Sequence, residues 1–304
     1  MEVPADNRLA LAAARRLTLD ATAARVVRAM KEADVRPILL KGPTLSELYD
    51  GVRQYSDIDL FVAPESMRAA ETALAELGFV MRDDDPHSRI WLREGVDVDL
   101  HSALVGVQAS AARLWEVLSA ETEVHIVGDE RVEVLNRPAR ALHVVLHAAQ
   151  HGLQEPKPRE DLTRALERIP EDTWADAARL AVALDAQAAF WTGLSMEPAG
   201  RELSSKLQLE KGPSRTETEL RASTAPPTAV GLLRLAETPG LGAKLKLIWR
   251  EAFPSSAYLR TWSPLARRGP VGLALAHVWR PIWILIRLGP ALAAIMRARR
   301  AARG

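Results

Sequence analysis

The chain has no cysteine among its 304 residues. That excludes disulfides, cysteine-ligated zinc, iron–sulfur clusters and thiolate nucleophiles together, so any catalysis runs on Asp, Glu, His, Lys, Ser or a hard metal. The opening Met-Glu-Val-Pro-Ala-Asp-Asn-Arg lacks the apolar core of a secretory signal, and a cytoplasmic location is expected. No run approaches about 18 uncharged residues, and Pro281 and Pro290 interrupt the most apolar stretch, so a bilayer-spanning helix is not expected. No internal repeat is visible.

Acidic residues are nearly missing from the C-terminal segment. From Lys244 onward there are 12 Lys and Arg against one acid, Glu251, whereas residues 1–243 carry 28 basic and 38 acidic side chains. A basic tail on an acidic body suggests an anionic partner for the tail, or else a solvated basic helix packed on the body. Four tryptophans (Trp249, Trp262, Trp279 and Trp283) fall in this segment. Tryptophan with arginine is interface-seeking chemistry, which fits peripheral contact of residues 244–304 with an anionic membrane, or helices packed on the core or in a dimer. The basic residues are scattered among aliphatic ones, which argues against nucleic acid as the partner.

What is present is ordinary for a globular protein: 48% hydrophobic and 26% charged residues exclude disorder of the whole chain, and the length suits two domains. Helical spacing over 8–33 leads into a first strand, Pro37 to Lys41, closed by Gly42-Pro43-Thr44 before a new helical period. A second strand covers 57–62, a helix 67–77 ends at Gly78, and a short strand follows at 79–81. Two hairpins are expected around Glu94-Gly95 and Gly128-Asp129. Beyond Pro138 the pattern is helical, at about 138–151, 160–168, 172–192 and several times after 230, with an exposed polar connection over 200–228.

Strand periodicity places Asp57 and Asp59 on one face and turns Ile58 and Leu60 to a core, leaving the two carboxylates facing solvent. Parallel carboxylates on a rigid strand can share a hard divalent cation, and Asp99 on a neighbouring strand is the natural third ligand. Taken alone the pair reads more readily as exposed acids on an alternating strand. Lys41-Gly42, at a strand-to-helix junction, offers a charge and backbone N–H groups to a phosphate, or is an ordinary tight turn. Arg53 and Ser56 flank the acidic pair and read as phosphate or sugar contacts, or as turn chemistry. His101 and Asp97 share the face of Asp99, each roughly 7 Å from it along the strand. His143, His147 and His151 form a stripe at a spacing of four, in reach of Asp161, where zinc is conceivable and a half-buried structural helix is the simpler reading.

In order, Leu39-Leu-Lys-Gly-Pro-Thr-Leu-Ser-Glu-Leu-Tyr49, Arg53-Gln-Tyr-Ser-Asp-Ile-Asp-Leu-Phe-Val62 and Val96-Asp-Val-Asp-Leu-His101 resemble the uncharacterised nucleotidyltransferase family of the polymerase-β-like superfamily. The resemblance continues more weakly in the His-bearing segment 141–152 and in Glu251 to Arg260. It implies an α+β fold, a catalytic domain at 1–136 with a mixed sheet, and an all-helical domain at 137–304. Asp57, Asp59 and Asp99 are the implied catalytic residues and ligands of Mg2+ or Mn2+. Lys41, Gly42, Arg53, Ser56, His101, His147 and His151 are the implied donor-binding residues. The wider superfamily carries Gly-Ser or Gly-Gly where this chain has Lys41-Gly42.

The implied activity is metal-dependent transfer of a nucleotidyl group from a nucleoside triphosphate to a hydroxyl or phosphate of a small molecule or peptide, with Asp99 able to serve also as the base. One alternative retains the fold and uses a sugar-nucleotide donor to glycosylate a peptide. Another is a regulatory or antitoxin-type module without turnover, against which stand three intact acids that repel one another.

Overall fold

The computed structural model describes residues 5–49, 55–84, 88–212, 216–222 and 225–302, and Arg53 lies outside them. By contacts the chain divides into two compact units, Met1–His151 with Glu155–Gly212, and Gly152–Gln154 with Pro213–Gly304.

The first unit opens with α1 (Ala5–Glu32), followed by β1 (Ile38–Leu39), a 3₁₀ helix (Gly42–Leu48), β2 (Asp57–Phe61), α2 (Met67–Glu76), β3 (Val80–Asp84), β4 (Ser88–Arg93) and β5 (Val96–His101). It continues through α3 (Ala111–Ser119), β6 (Thr122–Val127), β7 (Glu130–Leu135), α4 (Arg137–His151), α5 (Pro156–Arg168), α6 (Glu171–Ala183), α7 (Gln187–Ser195) and α8 (Pro198–Lys206). The strands form one mixed sheet in the order β3-β4-β5-β2-β1-β7-β6. At its centre β2 runs parallel to β5 and antiparallel to β1, while β1 runs parallel to β7. The fold is α+β, as expected.

Both faces of the sheet are covered, and alternation decides which side chain meets which layer. On one face Ile58, Leu60, Val98 and Leu100 pack with Val26, Val27 and Met30 of α1 and with Leu74 of α2. On the other, Ile38, Leu40 and Phe61 pack with α3 through α7, whose contributions include Leu142, Leu162, Trp174 and Phe190. The edge between β7 and α4 is capped by Asn136, whose side-chain oxygen accepts from the Ala139 N–H at 3.0 Å.

The second unit holds α9 (Thr216–Ala222), α10 (Pro227–Glu237), α11 (Leu241–Ala252), α12 (Ser256–Trp262) and α13 (Pro270–Ala301). Leu220, Ala229 and Leu233 pack with Ala291, Ala294, Ile295 and Ala298 of α13.

Four local expectations are corrected. The turn after Lys41 opens a seven-residue 3₁₀ helix rather than an α-helix, so the N–H array it offers is short. The helix expected over 172–192 is broken at Leu184–Ala186, where Asp185 takes a left-handed φ of 50°. The polar stretch 200–228 is not simply a loop: Pro198 starts α8, which buries Leu203, and α9 buries Leu220. Pro281 and Pro290 do not interrupt α13, which is long and apolar enough to cross a membrane by length and composition. Each proline removes one rung of the ladder, and the packing of Ala276 on one half and of Ala291, Ala294 and Ala298 on the other holds both halves in one helix.

Candidate active site

Register assembles the acids. Pairing of β2 with β5 puts Asp57 opposite Asp97, Asp59 opposite Asp99 and Phe61 opposite His101. Asp57, Asp59, Asp97, Asp99 and His101 therefore share the face on which α4 packs. The expectation that both carboxylates of the pair face solvent is corrected for Asp59, which is 2% exposed. Its strand lies in the centre of the sheet, beneath the helical layer. Asp57, at the strand's entrance, is half-buried, and the exposed Ser56 donates to its Oδ1 at 3.3 Å.

Asp59 is the centre of a charged cluster. β1 runs antiparallel beside it, with the Leu40 N–H donating to the Asp59 carbonyl at 3.0 Å, and the next residue, Lys41, turns its ammonium onto the carboxylate. Lys41 Nζ lies 2.9 Å from Asp59 Oδ1 and donates to His147 Nε2 of α4 at 3.2 Å. His101 Nε2 reaches the same Asp59 Oδ1 at 3.2 Å. The second oxygen, Oδ2, is buried and has no hydrogen-bond partner.

These contacts set the protonation states. Burial opposes ionisation of Asp59, but Lys41 and the bond from His101 outweigh it and hold its pKa well below the usual carboxylate range. Burial likewise opposes the charge on Lys41, and Asp59, Asp57 and Asp99 together overcome it and raise its pKa. Asp99 shows the opposite balance: burial, then the Asp59 charge, push it up to about 7. Asp57 is raised by burial and then by Asp59. Burial followed by the Lys41 charge lowers His143 to about 3 and carries His147 well below its usual value, so both rings are neutral.

A metal fits this arrangement. Ligand atoms of Asp59, Asp99 and His101 lie within 4.8 Å of one another, the grouping of this kind found among the described residues. A buried carboxylate oxygen without a partner, beside a second carboxyl resisting ionisation, is an environment that a divalent cation would relieve. Asp57 shares the face and the field of these groups but stands outside that grouping.

Gly42 is buried at φ 79°, and a Cβ there would meet the Tyr55 ring at 3.4 Å. His151 is exposed, with its ring 4.5 Å edge-on from that of His147. The histidine stripe is a row of tilted and edge-on rings rather than a metal grouping among the described residues, and Asp161 accepts a hydrogen bond from Tyr49. Of two further contributors, one was read from sequence only as a stripe member and the other not at all. His143 is buried near Lys41, and Lys157 at the start of α5 adds positive field at Asp57. The four-residue spacing signalled His143 as a stripe member, whereas nothing local marks Lys157.

No curated protein matches the sequence. Solved structures to which the chain is similar include ANT(2'')-Ia in complex with adenylyl-2''-tobramycin, at 14% identity and TM-score 0.41, covering 54% of this chain and 98% of that one. An antigenic nucleotidyltransferase-like protein from Paracoccidioides brasiliensis is similar at 12% identity and TM-score 0.36, over 66% of this chain and 94% of that one. A tRNA nucleotidyltransferase complexed with a primer tRNA and an incoming ATP analog gives 13% identity and TM-score 0.26, over 92% and 100%. Residues 5–198 match the family described as uncharacterised nucleotidyltransferase, and the chain belongs to that family.

Proposed function

We propose that the chain transfers a nucleotidyl group from a nucleoside triphosphate to a hydroxyl of a small molecule or peptide, using Mg2+ or Mn2+ held by Asp59 and Asp99. The observation that carries this reading is the buried, unpartnered Oδ2 of Asp59 placed in register beside Asp99. His101, and Asp57 at the entrance, complete the donor set. The metal, when bound, supplies charge to the phosphates and acidity to the attacking hydroxyl.

The chain's own residues divide the remaining work. In the reaction a bond forms between the acceptor oxygen and the α-phosphorus, and the bond to the leaving pyrophosphate breaks. Lys41, fixed between Asp59 and the neutral His147, is a cation on a short, buried tether, suited to a triphosphate oxygen. Asp99 is half-buried whereas Asp59 is sealed, so Asp99 is the carboxylate placed to take the acceptor's proton. Without the metal, His101 holds the orientation of Asp59 by its hydrogen bond.

The test is thermal unfolding of the chain against nucleoside triphosphates and sugar nucleotides, each with Mg2+ and with EDTA. A rise that needs both a triphosphate and Mg2+ supports nucleotidyl transfer and names the base. A preference for a sugar nucleotide moves the reading to glycosyl transfer, and no shift with any donor favours a module without turnover.

A further inference from the structure

Helix α13 is built inside out for a helix of a water-soluble unit. The face it turns to its own unit is lined mainly by small residues, Gly272, Ala276, Ala291, Ala294 and Ala298, with Ile295 the large apolar side chain buried among them. Gly272 lies so close to the preceding turn that a Cβ would meet the Leu265 carbonyl oxygen at 2.2 Å. Most of the large apolar side chains point the other way: Val271 is 74% exposed and Leu285 65%, with Leu275, Val278, Ile282, Leu292 and Met296 continuing the same row. A soluble helix puts its large apolar residues inward and its charges outward. Here Arg280 is buried, its guanidinium 4.7 Å from the Trp262 ring and 5.2 Å from that of Trp283, with Nε donating to the Glu251 carbonyl.

We propose that the outward face of α13 lies in the plane of an anionic membrane, its apolar row sunk at the headgroup–acyl boundary and its arginine-bearing face turned to the protein. Three observations favour lipid over other occupants. The row runs from Val271 to Met296, about 38 Å at 1.5 Å per residue, with no charge on it. The ends carry exposed Arg267 and Arg268 on one side and Arg297, Arg299 and Arg300 on the other, with no acid after Glu251. Within the same unit, α11 buries none of its residues and exposes Leu241, Leu245, Ile248 and Trp249 on one side, with Lys244 beside them.

The row also has the alternating three- and four-residue spacing of a coiled-coil seam. Its flanks hold Trp279 and Ile286 rather than the charges that select a partner helix, and so it is too broad and too uncharged for a seam. A transverse span would bring Arg280 and Arg287 to the bilayer centre together with the short helices packed around them, which favours the in-plane arrangement.

The experiment sediments the full chain with vesicles of phosphatidylcholine and phosphatidylglycerol, and with phosphatidylcholine alone. The expected result is recovery in the anionic pellet and at least about tenfold weaker partitioning of the Val278→Glu/Ile282→Glu variant, with helical circular dichroism unchanged. Arg297→Gln/Arg299→Gln/Arg300→Gln should lose the preference for phosphatidylglycerol while still binding. Wild type that stays in the supernatant, or double variant recovered as well as wild type, overturns the proposal. So does a wild-type dimer by light scattering that Val278→Glu/Ile282→Glu converts to monomer without any lipid binding. Retention of the chain in expressing-cell membranes after an alkaline carbonate wash overturns the in-plane arrangement.

Discussion

Replacing Asp99 by Asn should stabilise the metal-free protein and at the same time remove its response to metal. The wild-type carboxyl has its pKa raised from 3.8 to about 7 by burial and by Asp59. A group raised in this way keeps its proton in the folded state after the unfolded chain has released it, so stability falls as pH rises between the two values. The displacement corresponds to about 4 kcal/mol above pH 7, at about 1.4 kcal/mol per pKa unit. Partial solvation of this half-buried side chain reduces that to about 2–4 kcal/mol. Asn has nearly the same shape and carries no charge, so Asp99→Asn should be more stable than wild type near pH 8 in EDTA. For a unit of this size the melting temperature should rise by roughly 5–15 °C. The advantage should shrink as pH falls through 7 and vanish below about pH 4, where Asp99 is neutral in both states. Added Mg2+ should then invert the order, raising the wild-type melting temperature and leaving the variant's unchanged. A variant less stable than wild type at every pH in EDTA would refute the electrostatic reading of this site.

Lys41→Ala removes the principal partner of a buried carboxylate, and should cost about 3–5 kcal/mol in EDTA by denaturant titration. Mg2+ should restore part of that loss, because a cation then faces Asp59; equal losses with and without the metal would contradict the shared site. Gly42→Ala forces a side chain into the left-handed region beside the Tyr55 ring and should cost roughly 1–2 kcal/mol, read as a lower melting temperature. It should also weaken triphosphate binding by displacing Lys41, and unchanged calorimetric affinity would separate Lys41 from the donor.

The acidic site was legible in sequence because strand alternation is strictly local. Asp57-Ile58-Asp59 and Asp97-Val98-Asp99-Leu100-His101 each declare which side chains share a face, and the sheet needed only to set them in register. The burial of Asp59 was not legible, because it depends on α4, whose His147 meets Lys41 across 106 residues of chain. Nor could spacing show that His101, rather than Asp57, would join Asp59 and Asp99 in the donor grouping. Polar composition concealed α8 and α9, since their stability comes from single buried leucines rather than a long apolar period. The prolines of α13 misled for the complementary reason: their local cost is fixed, and the packing that outweighs it lies on helices far away in sequence.

The central claim is that Asp59 and Asp99 hold a divalent cation for nucleotidyl transfer. Electron paramagnetic resonance of Mn2+, titrated into the chain with a non-hydrolysable nucleoside triphosphate, tests it most directly. The account predicts bound Mn2+ in the wild type, competed by Mg2+, and its loss in Asp59→Asn while the fold persists by circular dichroism. Equal Mn2+ occupancy in wild type and Asp59→Asn would contradict it.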